Sequence, residues 1–306
     1  MATFREYLAE LGDEGQPLRA TRLVYLSHLA DEQEKAFLDV WPQIQTERRR
    51  QVVYQLAELA EDNVELNFDA IFLACLSDAD PEVRAAAIRG LWEYEQRDLI
   101  GSLIRLLQSD DSAAVRAEAA VALGNFVLQC EFGSLPDRCF RQVEQALRRA
   151  IDDEGEELEV RGRVLEAIGA CSLPWVRQAI ERAYRSDSQR LRVSGIHAMG
   201  RNCDLSWLPI LFEELKSGDP EMRYEAALAC GSLGEEAAVP HLDPLLEDED
   251  VEVREATTAA LGEIGGHQAR SALQRYLDDP SRSMREAVQE ALSMMDFAED
   301  PLSFSP

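Results

Sequence analysis

The four histidines are the side chains best suited to hold a metal ion or to move a proton near neutral pH. None stands in an HExxH motif, and the sequence contains no His-Glu dipeptide. His28 and Glu32 would share a helix face, but one such pair supplies too few ligands for a metal site. We therefore predict neither a metal nor another cofactor. The histidines are His28, His197, His241 and His267.

The six cysteines could act as nucleophiles, metal ligands or disulfide partners. No CxxC pair occurs, and most of them fall within helical patterns, which favours reduced thiols that pack as small apolar groups. Cys230 lies in an apolar stripe and is expected to be buried. A Cys–His nucleophile pair remains open, because spacing along the chain does not report proximity between repeats. The sequence has no P-loop, no GxGxxG after a strand and no GxSxG, so we assign no catalytic residue.

Seven arginines recur at one position of a repeated pattern, and such a column could bind anions or hold the fold together. Each follows an apolar residue, and the last five are 31 residues apart. A guanidinium has five donors in a rigid plane, which suits a tie between repeats. We expect each to bond to acidic turn residues, such as Asp219 or Asp250, and to carbonyls of the adjacent repeat. The anchor arginines are Arg84, Arg116, Arg161, Arg192, Arg223, Arg254 and Arg285.

The residues around each anchor predict a helix start and its buried side. Four positions before the arginine, six of seven copies have a residue that accepts bonds from free helix N–H groups, and Glu157 is the weak copy. Apolar residues at −1, +3 and +7 form one stripe, and a glycine at +8 fits a helix end or a close packing contact. A second apolar stripe precedes each cap, so each repeat is a pair of helices. The caps are Asp80, Ser112, Glu157, Ser188, Asp219, Asp250 and Ser281.

The stretch Asp219–Gly231, DPEMRYEAALACG, shows the pattern that the seven copies share. It resembles the HEAT repeat, specifically the short type of phycobilisome-lyase-like HEAT proteins. The resemblance implies an all-α fold, a right-handed α-solenoid in which HEAT-like helix pairs stack as an α-α superhelix. Deoxyhypusine hydroxylase is also built of HEAT-like repeats, and that family needs His-Glu dipeptides in several repeats to hold iron. Their absence from this sequence argues against a di-iron oxygenase.

The repeats divide the chain into three predicted parts. Residues 1–67 are expected to form an N-terminal helical cap that covers the open end of the stack. Within it, Arg49 marks a candidate degenerate repeat, because it lies 35 residues before Arg84. Residues 68–297 are expected to hold about seven HEAT-like repeats, and residues 298–306 a disordered tail.

One step between anchors is longer than the others. Arg116 and Arg161 are 45 residues apart, which indicates an insertion near 125–139. We expect the helix to continue to about Cys130, with a loop to Leu135. Insertions in solenoids lie on one face, often the binding face, although loops also accept insertions without a function.

Acidic residues dominate the charge, with 58 Asp and Glu against 31 Lys and Arg, which gives a formal net charge of −27. Such an excess repels phosphates, which argues against a nucleic-acid partner, and it favours solubility and a basic partner. No signal peptide opens the chain, and no long uncharged apolar run is present. We expect a monomeric, cytoplasmic protein that does not enter a membrane.

One surface of the second helices is a candidate protein-binding site. Positions +1, +5 and +9 after the anchors share a helix face outside the core stripe, and in HEAT-like stacks the second helices line the concave side. In the middle repeats this face mixes apolar, aromatic and titratable groups, which suits a protein contact. The alternative is that these side chains are only half-covered by neighbouring helices and have no binding role. The candidate residues are Val193, His197, Arg201, Tyr224 and Leu228.

The sequence favours a non-enzymatic scaffold or adaptor that binds another protein on this concave surface, because the repeats are regular and no catalytic constellation occurs. The resemblance implies an alternative, a bilin lyase-like protein that handles a chromophore. A metal-dependent oxygenase of the deoxyhypusine hydroxylase type is the third and least favoured interpretation.

Overall fold

The computed structural model describes residues 4–13 and 15–299, and all regular structure in this part is helical. The chain forms two compact units, Met1–Val164 and Leu165–Pro306, and the boundary falls inside helix α10 (Leu158–Ile168). The prediction of an all-α repeat fold is confirmed.

Helices of the first unit are mostly paired across short turns. They are α1 (Phe4–Leu11), α2 (Ala20–Leu23), α3 (Asp31–Val40), α4 (Thr46–Asp62), α5 (Asp69–Cys75), α6 (Pro81–Gly90), α7 (Asp98–Ser109), α8 (Ala113–Glu131) and α9 (Asp137–Asp152). The helices that follow α10, all in the second unit, are α11 (Pro174–Tyr184), α12 (Gln189–Arg201), α13 (Leu208–Glu214), α14 (Pro220–Leu233), α15 (Val239–Leu242), α16 (Val251–Ile264), α17 (Gly266–Gln274) and α18 (Arg282–Glu299).

Several predicted cap residues satisfy the first turn of the helix that follows them. Asp80 Oδ1 accepts hydrogen bonds from the N–H groups of Glu82 and Val83, at 3.1 and 3.2 Å. Ser112 differs, because its side chain makes no capping bond. The residues that cap through their side chains include Asp80, Ser188, Asp219 and Asp250.

The stripe at −1, +3 and +7 lies in the core. In α14 its members are Met222, Ala226 and Cys230, and all three are buried. Burial raises the pKa of the Cys230 thiol to about 12, so this thiol stays protonated at neutral pH, as its predicted packing role requires. In α16 the +3 residue is Thr257, whose buried hydroxyl donates to the carbonyl of Val253 at 2.7 Å and is therefore satisfied.

The glycines at +8 lie where neighbouring second helices approach most closely. A Cβ atom added to Gly231 would lie 2.7 Å from the Cα of Ala260, and one added to Gly200 would lie 2.7 Å from the Cα of Ala229. Gly231 is inside α14, so close packing, not a helix end, explains the residue type. The same pairing of glycine with alanine occurs at Gly169–Ala198 and Gly262–Ala291.

Residues 20–30 do not form one continuous helix. The structure has the short helix α2, a 3-10 turn over Val24–Leu26, and then a reversal of the chain. His28 adopts a φ of 51°, in the left-handed region, and its N–H donates to the carbonyl of Asn67 at 2.8 Å. This backbone bond fixes the reversal, which the apolar pattern did not reveal.

Two boundaries refine the predicted parts. Helix α8 runs to Glu131 and α9 begins at Asp137, so the extra residues between Arg116 and Arg161 lengthen a helix pair around a short loop. At the other end, residues 298 and 299 belong to α18 and are not disordered, while residues 300–306 lie outside the described residues.

Candidate functional site

Six of the seven anchor arginines bind the turn that precedes their own helix, whereas Arg161 Nε donates to the carbonyl of Ile151 in α9, at 3.2 Å. Arg223 Nη1 donates to the carbonyl of Ser217 at 2.8 Å, and Arg84 Nη1 donates to that of Asp78 at the same distance. In both cases the acceptor lies six residues before the arginine. Bonds with this spacing are also made by Arg116, Arg192, Arg254 and Arg285.

Some anchors also reach a carboxylate of the following repeat. Arg223 donates through Nε and Nη2 to the two oxygens of Asp248, at 2.8 and 2.7 Å. Both side chains are only 10% exposed. Although burial alone would raise the pKa of Asp248, the bonds from Arg223 and from the Asp250 N–H hold it below its ordinary value. The same fork joins Arg84 to Asp110 and Arg116 to Glu156.

The predicted partners of the anchors were therefore misplaced. Asp219 and Asp250 cap helices, and the carbonyls that the arginines bind belong to their own repeat. The residue six positions before the anchor has a second role, because its side chain accepts a hydrogen bond from the N–H of the cap residue. Asp248 Oδ1, for example, accepts from the Asp250 N–H at 2.9 Å. A column of Asp or Ser at this spacing was the available signal: Asp78, Asp110, Ser186, Ser217, Asp248 and Asp279.

Arg49 makes the same two ties although it lies before the clear repeats. Its Nη1 donates to the carbonyl of Ile44 at 2.6 Å, and its Nη2 donates to Asp78 at 3.1 Å. Trp41 Nε1 donates to the other oxygen of the same carboxylate at 2.7 Å. This geometry supports a degenerate repeat around Arg49, while the extent of the N-terminal cap stays a prediction.

Of the five predicted surface residues, Val193 does not reach the surface. It is 5% exposed, so its inclusion was wrong. The +1 position is covered by neighbouring helices when the side chain is short, as it is at Ala117. Tyr224 occupies the same position but extends past this cover and is half-buried. The remaining predicted residues, all half-buried, are His197, Arg201 and Leu228.

Carboxylates surround these accessible residues. His197 Nδ1 lies 3.2 Å from Glu225 Oε2. Burial, together with the negative charges of Glu225, Glu252 and Glu255, raises the pKa of the Tyr224 hydroxyl above its ordinary value. Sequence reasoning missed Glu252 and Glu255, because acidic residues are common throughout the chain and only the fold brings these two to Tyr224. We call this surface the second-helix face: His197, Arg201, Tyr224, Glu225, Leu228, Glu252 and Glu255.

Acidic residues on the first helices of the same unit, and on the turns that lead to them, often have a partner in a neighbouring repeat. Pairs of this kind are Arg177–Asp204, Tyr184–Glu214, Arg275–Asp243 and Tyr276–Glu247. By contrast, Glu252 and Glu255 are exposed, and neither side chain bonds to any other part of the chain that the structure describes. Unpaired carboxylates of this unit therefore lie on the second-helix face.

The described residues contain no group of three or more His, Cys, Asp or Glu placed to hold a metal ion. None of the helices in this part of the chain is long and apolar enough to cross a membrane. The six cysteines are all free, and Cys203 departs from the expected packing role because it is exposed in a turn, with a φ of 55°.

The fold and the arginine ties define a protein of the helical-repeat class. Residues 69–137 and 208–293, about half of the chain, match the family model for HEAT repeats. The chain belongs to the HEAT-repeat family.

One curated relative is similar over part of the chain. A stretch of 107 residues is 33% identical to the probable importin subunit beta-4 of Schizosaccharomyces pombe. The match covers 31% of this chain and 10% of that protein, so the chain spans about a tenth of the length of this relative.

A solved structure shows the same fold. The complex of CpcE and CpcF of phycocyanin lyase from Nostoc sp. PCC7120 matches with 17% identity and a TM-score of 0.54, over 93% of this chain and 96% of the matched chain. This likeness agrees with the resemblance to phycobilisome-lyase-like HEAT proteins. Human deoxyhypusine hydroxylase in complex with glycerol matches over 96% of this chain and 97% of that chain, with 22% identity and a TM-score of 0.31, which is too low to carry an argument.

Proposed function

We propose that this chain is a non-enzymatic scaffold or adaptor that binds another protein on the second-helix face. The main support for the proposal is the partial burial of Tyr224 together with its unbonded hydroxyl. Its ring is half-buried beside Leu228, and its hydroxyl has no hydrogen-bond partner among the described residues. A tyrosine with an apolar body and an unused polar tip is typical of the centre of a protein contact.

The rigidity of the supporting helices favours the same role. Arg223 ties α14 to the turn before α16, and the contact of Gly231 with Ala260 sets these two helices at a fixed close distance. A face that is ordered before binding loses little conformational entropy when a partner docks. The assignment to the HEAT-repeat family further supports a protein-binding role.

A site-specific cross-link tests the proposal. A photoreactive benzoylphenylalanine is placed at Tyr224, and a matched protein carries it at Gln274, an exposed residue of α17 on the first-helix side. In host lysate, we expect position 224, and not position 274, to cross-link one protein in stoichiometric amount. Mass spectrometry identifies this cross-linked protein.

The identified protein is then purified and its affinity measured by calorimetry. The double substitution Y224A/L228A should raise Kd at least about tenfold, because it removes the central apolar contact, while far-UV circular dichroism stays unchanged. Unchanged affinity in this variant, or equal cross-linking from both positions, would remove the second-helix face as the binding site.

The chromophore-handling alternative has its own test. A free bilin is added to the purified protein and the visible absorbance is recorded. The scaffold proposal expects the spectrum of the free pigment, whereas a shifted band that survives gel filtration would move the function to tetrapyrrole handling.

We also propose that the chain works as a monomer in the cytoplasm. The free cysteines, four of them buried, support a reducing compartment. Light scattering coupled to gel filtration should give the mass of one chain, and a concentration-dependent dimer would contradict the monomer.

A further inference from the structure

The charges exposed on α14 and α16 have one sign. These two helices, described in full, carry exposed or half-exposed carboxylates and a single accessible guanidinium, that of Arg254. Arg254 Nη1 is already committed to the carbonyls of Asp248 and Glu249. The carboxylates are those of Glu221, Glu225, Glu252, Glu255 and Glu263.

Like charges one turn apart on a helix repel each other, and Glu252 and Glu255 are such a pair. On the first-helix side of the same unit, carboxylates such as Glu214 and Glu247 are bonded by tyrosine hydroxyls of a neighbouring repeat. The uncompensated charge around Tyr224 therefore leaves a surface whose electrostatic complement is cationic.

An aromatic ring lies within this negative surface. Tyr224 is half-buried, and no aromatic or cationic side chain stacks on its ring among the described contacts. Glu225 is the next residue of α14, and Glu255 occupies the position of Tyr224 in the following repeat, on α16, with Glu252 one turn before it. A ring face bordered by carboxylates suits a guanidinium or an ammonium, which can stack on the ring and donate to the acids together.

We propose that the occupant of the second-helix face is a segment of a partner protein rich in Arg and Lys, with one cationic side chain stacked on Tyr224 between Glu225, Glu252 and Glu255. The inference rests on the proposed scaffold function and adds the chemistry of the partner. Nucleic acid does not fit this face, because its phosphates would meet unpaired carboxylates in a chain of net charge −27.

The experiment measures fluorescence anisotropy of a labelled octapeptide that alternates Arg and Ser, with an octapeptide that alternates Glu and Ser as the negative probe. We expect saturable binding of the Arg peptide only. The substitutions E252Q/E255Q and Y224A should each raise its Kd on the order of tenfold, and Y224F should bind within about twofold of the unchanged protein.

The matched control is E58Q/E61Q, which removes two exposed carboxylates at the same spacing from α4. It lowers the net negative charge by the same amount as E252Q/E255Q. If the Arg peptide binds at the second-helix face, its Kd for E58Q/E61Q should lie within about twofold of that for the unchanged protein. Equal weakening by E58Q/E61Q and E252Q/E255Q, or no effect of Y224A, overturns the proposal and assigns the binding to diffuse charge.

The two proposals can fail separately. If the protein cross-linked at position 224 loses affinity in Y224A/L228A but not in E252Q/E255Q, the scaffold function stands and the cationic occupant is wrong. If the Arg peptide binds locally but no protein is cross-linked, the cationic subsite stands and the scaffold function is wrong. Circular dichroism and thermal midpoints of every variant exclude misfolding as the cause of lost binding.

Discussion

Arg223 shows why arginine, and not lysine, recurs at the anchor position. Its guanidinium binds the Ser217 carbonyl of its own repeat and both oxygens of Asp248 in the next, and one plane of donors serves both. A lysine ammonium could keep the charge but could not make the two parallel bonds to the carboxylate.

The substitution R223A should therefore cost roughly 3–5 kcal/mol in the free energy of unfolding, because it leaves Asp248 buried without its counter-ion. The control is R254A, since Arg254 bonds only to carbonyls among the described residues, and its loss should cost about 1 kcal/mol. Urea denaturation followed by circular dichroism measures both values. Equal losses would show that the carboxylate fork adds no stability.

The Asp80 carboxylate makes stability depend on pH. Hydrogen bonds from the Arg50 guanidinium, opposed by burial and aided by the Val83 N–H, lower its pKa below the ordinary value of 3.8. Because the folded pKa is depressed, this contribution is present above about pH 4 and is lost as pH falls through the lowered value.

We expect D80N to have a lower thermal midpoint than the unchanged protein at pH 6, with the difference shrinking toward pH 2.5. Scanning calorimetry of both proteins over this range isolates Asp80 from the other acids, since those titrate in both. A difference that stays constant with pH would show that Asp80 acts only as a neutral helix cap.

At the scale of the helix, the packing of α14 on α16 depends on a missing side chain. Gly231 lets the backbone of α16 approach, and a methyl group would stand 2.7 Å from the Cα of Ala260. The glycine lowers intrinsic helix stability, but the close contact requires it.

G231A should destabilise the protein by about 1–3 kcal/mol, because the helices must move apart. The matched control is G101A in α7, where no atom lies within 4 Å of the added Cβ, and it should stabilise by up to about 1 kcal/mol through helix propensity. The thermal midpoints of the two variants, compared with that of the unchanged protein, give the sign of each stability change. A stabilising G231A would contradict close packing as the reason for glycine.

Much of this element-level organisation could be predicted from the sequence. The spacing of the anchors located α14 and α16, the caps Asp219 and Asp250 placed their starts, and the stripe placed Cys230 in the core. These features are local, or they repeat with one period, so a single chain carries the information.

The predictions that were wrong or incomplete concern side chains whose exposure depends on the neighbouring helices. Val193 is buried because neighbouring helices cover a short side chain at +1, and Tyr224 is accessible only because it is longer. The negative charges of Glu252 and Glu255, which help to raise the pKa of Tyr224, come from the following repeat. Such contacts between repeats depend on the stacking geometry. The sequence period indicates that the repeats stack, but it does not give the distances between their side chains.

At the scale of the whole molecule, several arginine ties, such as Arg84–Asp110 and Arg223–Asp248, link repeats that follow one another along the chain. Stability should then be close to a sum over repeats and their interfaces, so removal of one complete repeat should be tolerated. Deletion of residues 219–249 removes 31 residues and places Ser217 six positions before Arg254, the spacing of an anchor and its turn.

We expect this deletion to leave a cooperatively folding helical protein of lower stability. A deletion of residues 219–242, which removes α14 but breaks the phase, should lose cooperative unfolding. Calorimetry and circular dichroism distinguish the two. Similar behaviour of both variants would show that the period does not govern assembly.

The same ties have a mechanical consequence. If tension were applied along the chain, it would load the anchors in series, and each 31-residue repeat that opened would release about 100 Å of extended backbone. The joint at Ser217 has a hydroxyl where Asp110 and Asp248 offer a carboxylate, so it lacks a fork that would resist the pull. Over the last five anchors, which are 31 residues apart, the array would lengthen in equal increments, starting at such joints, and could act as an extensible tether.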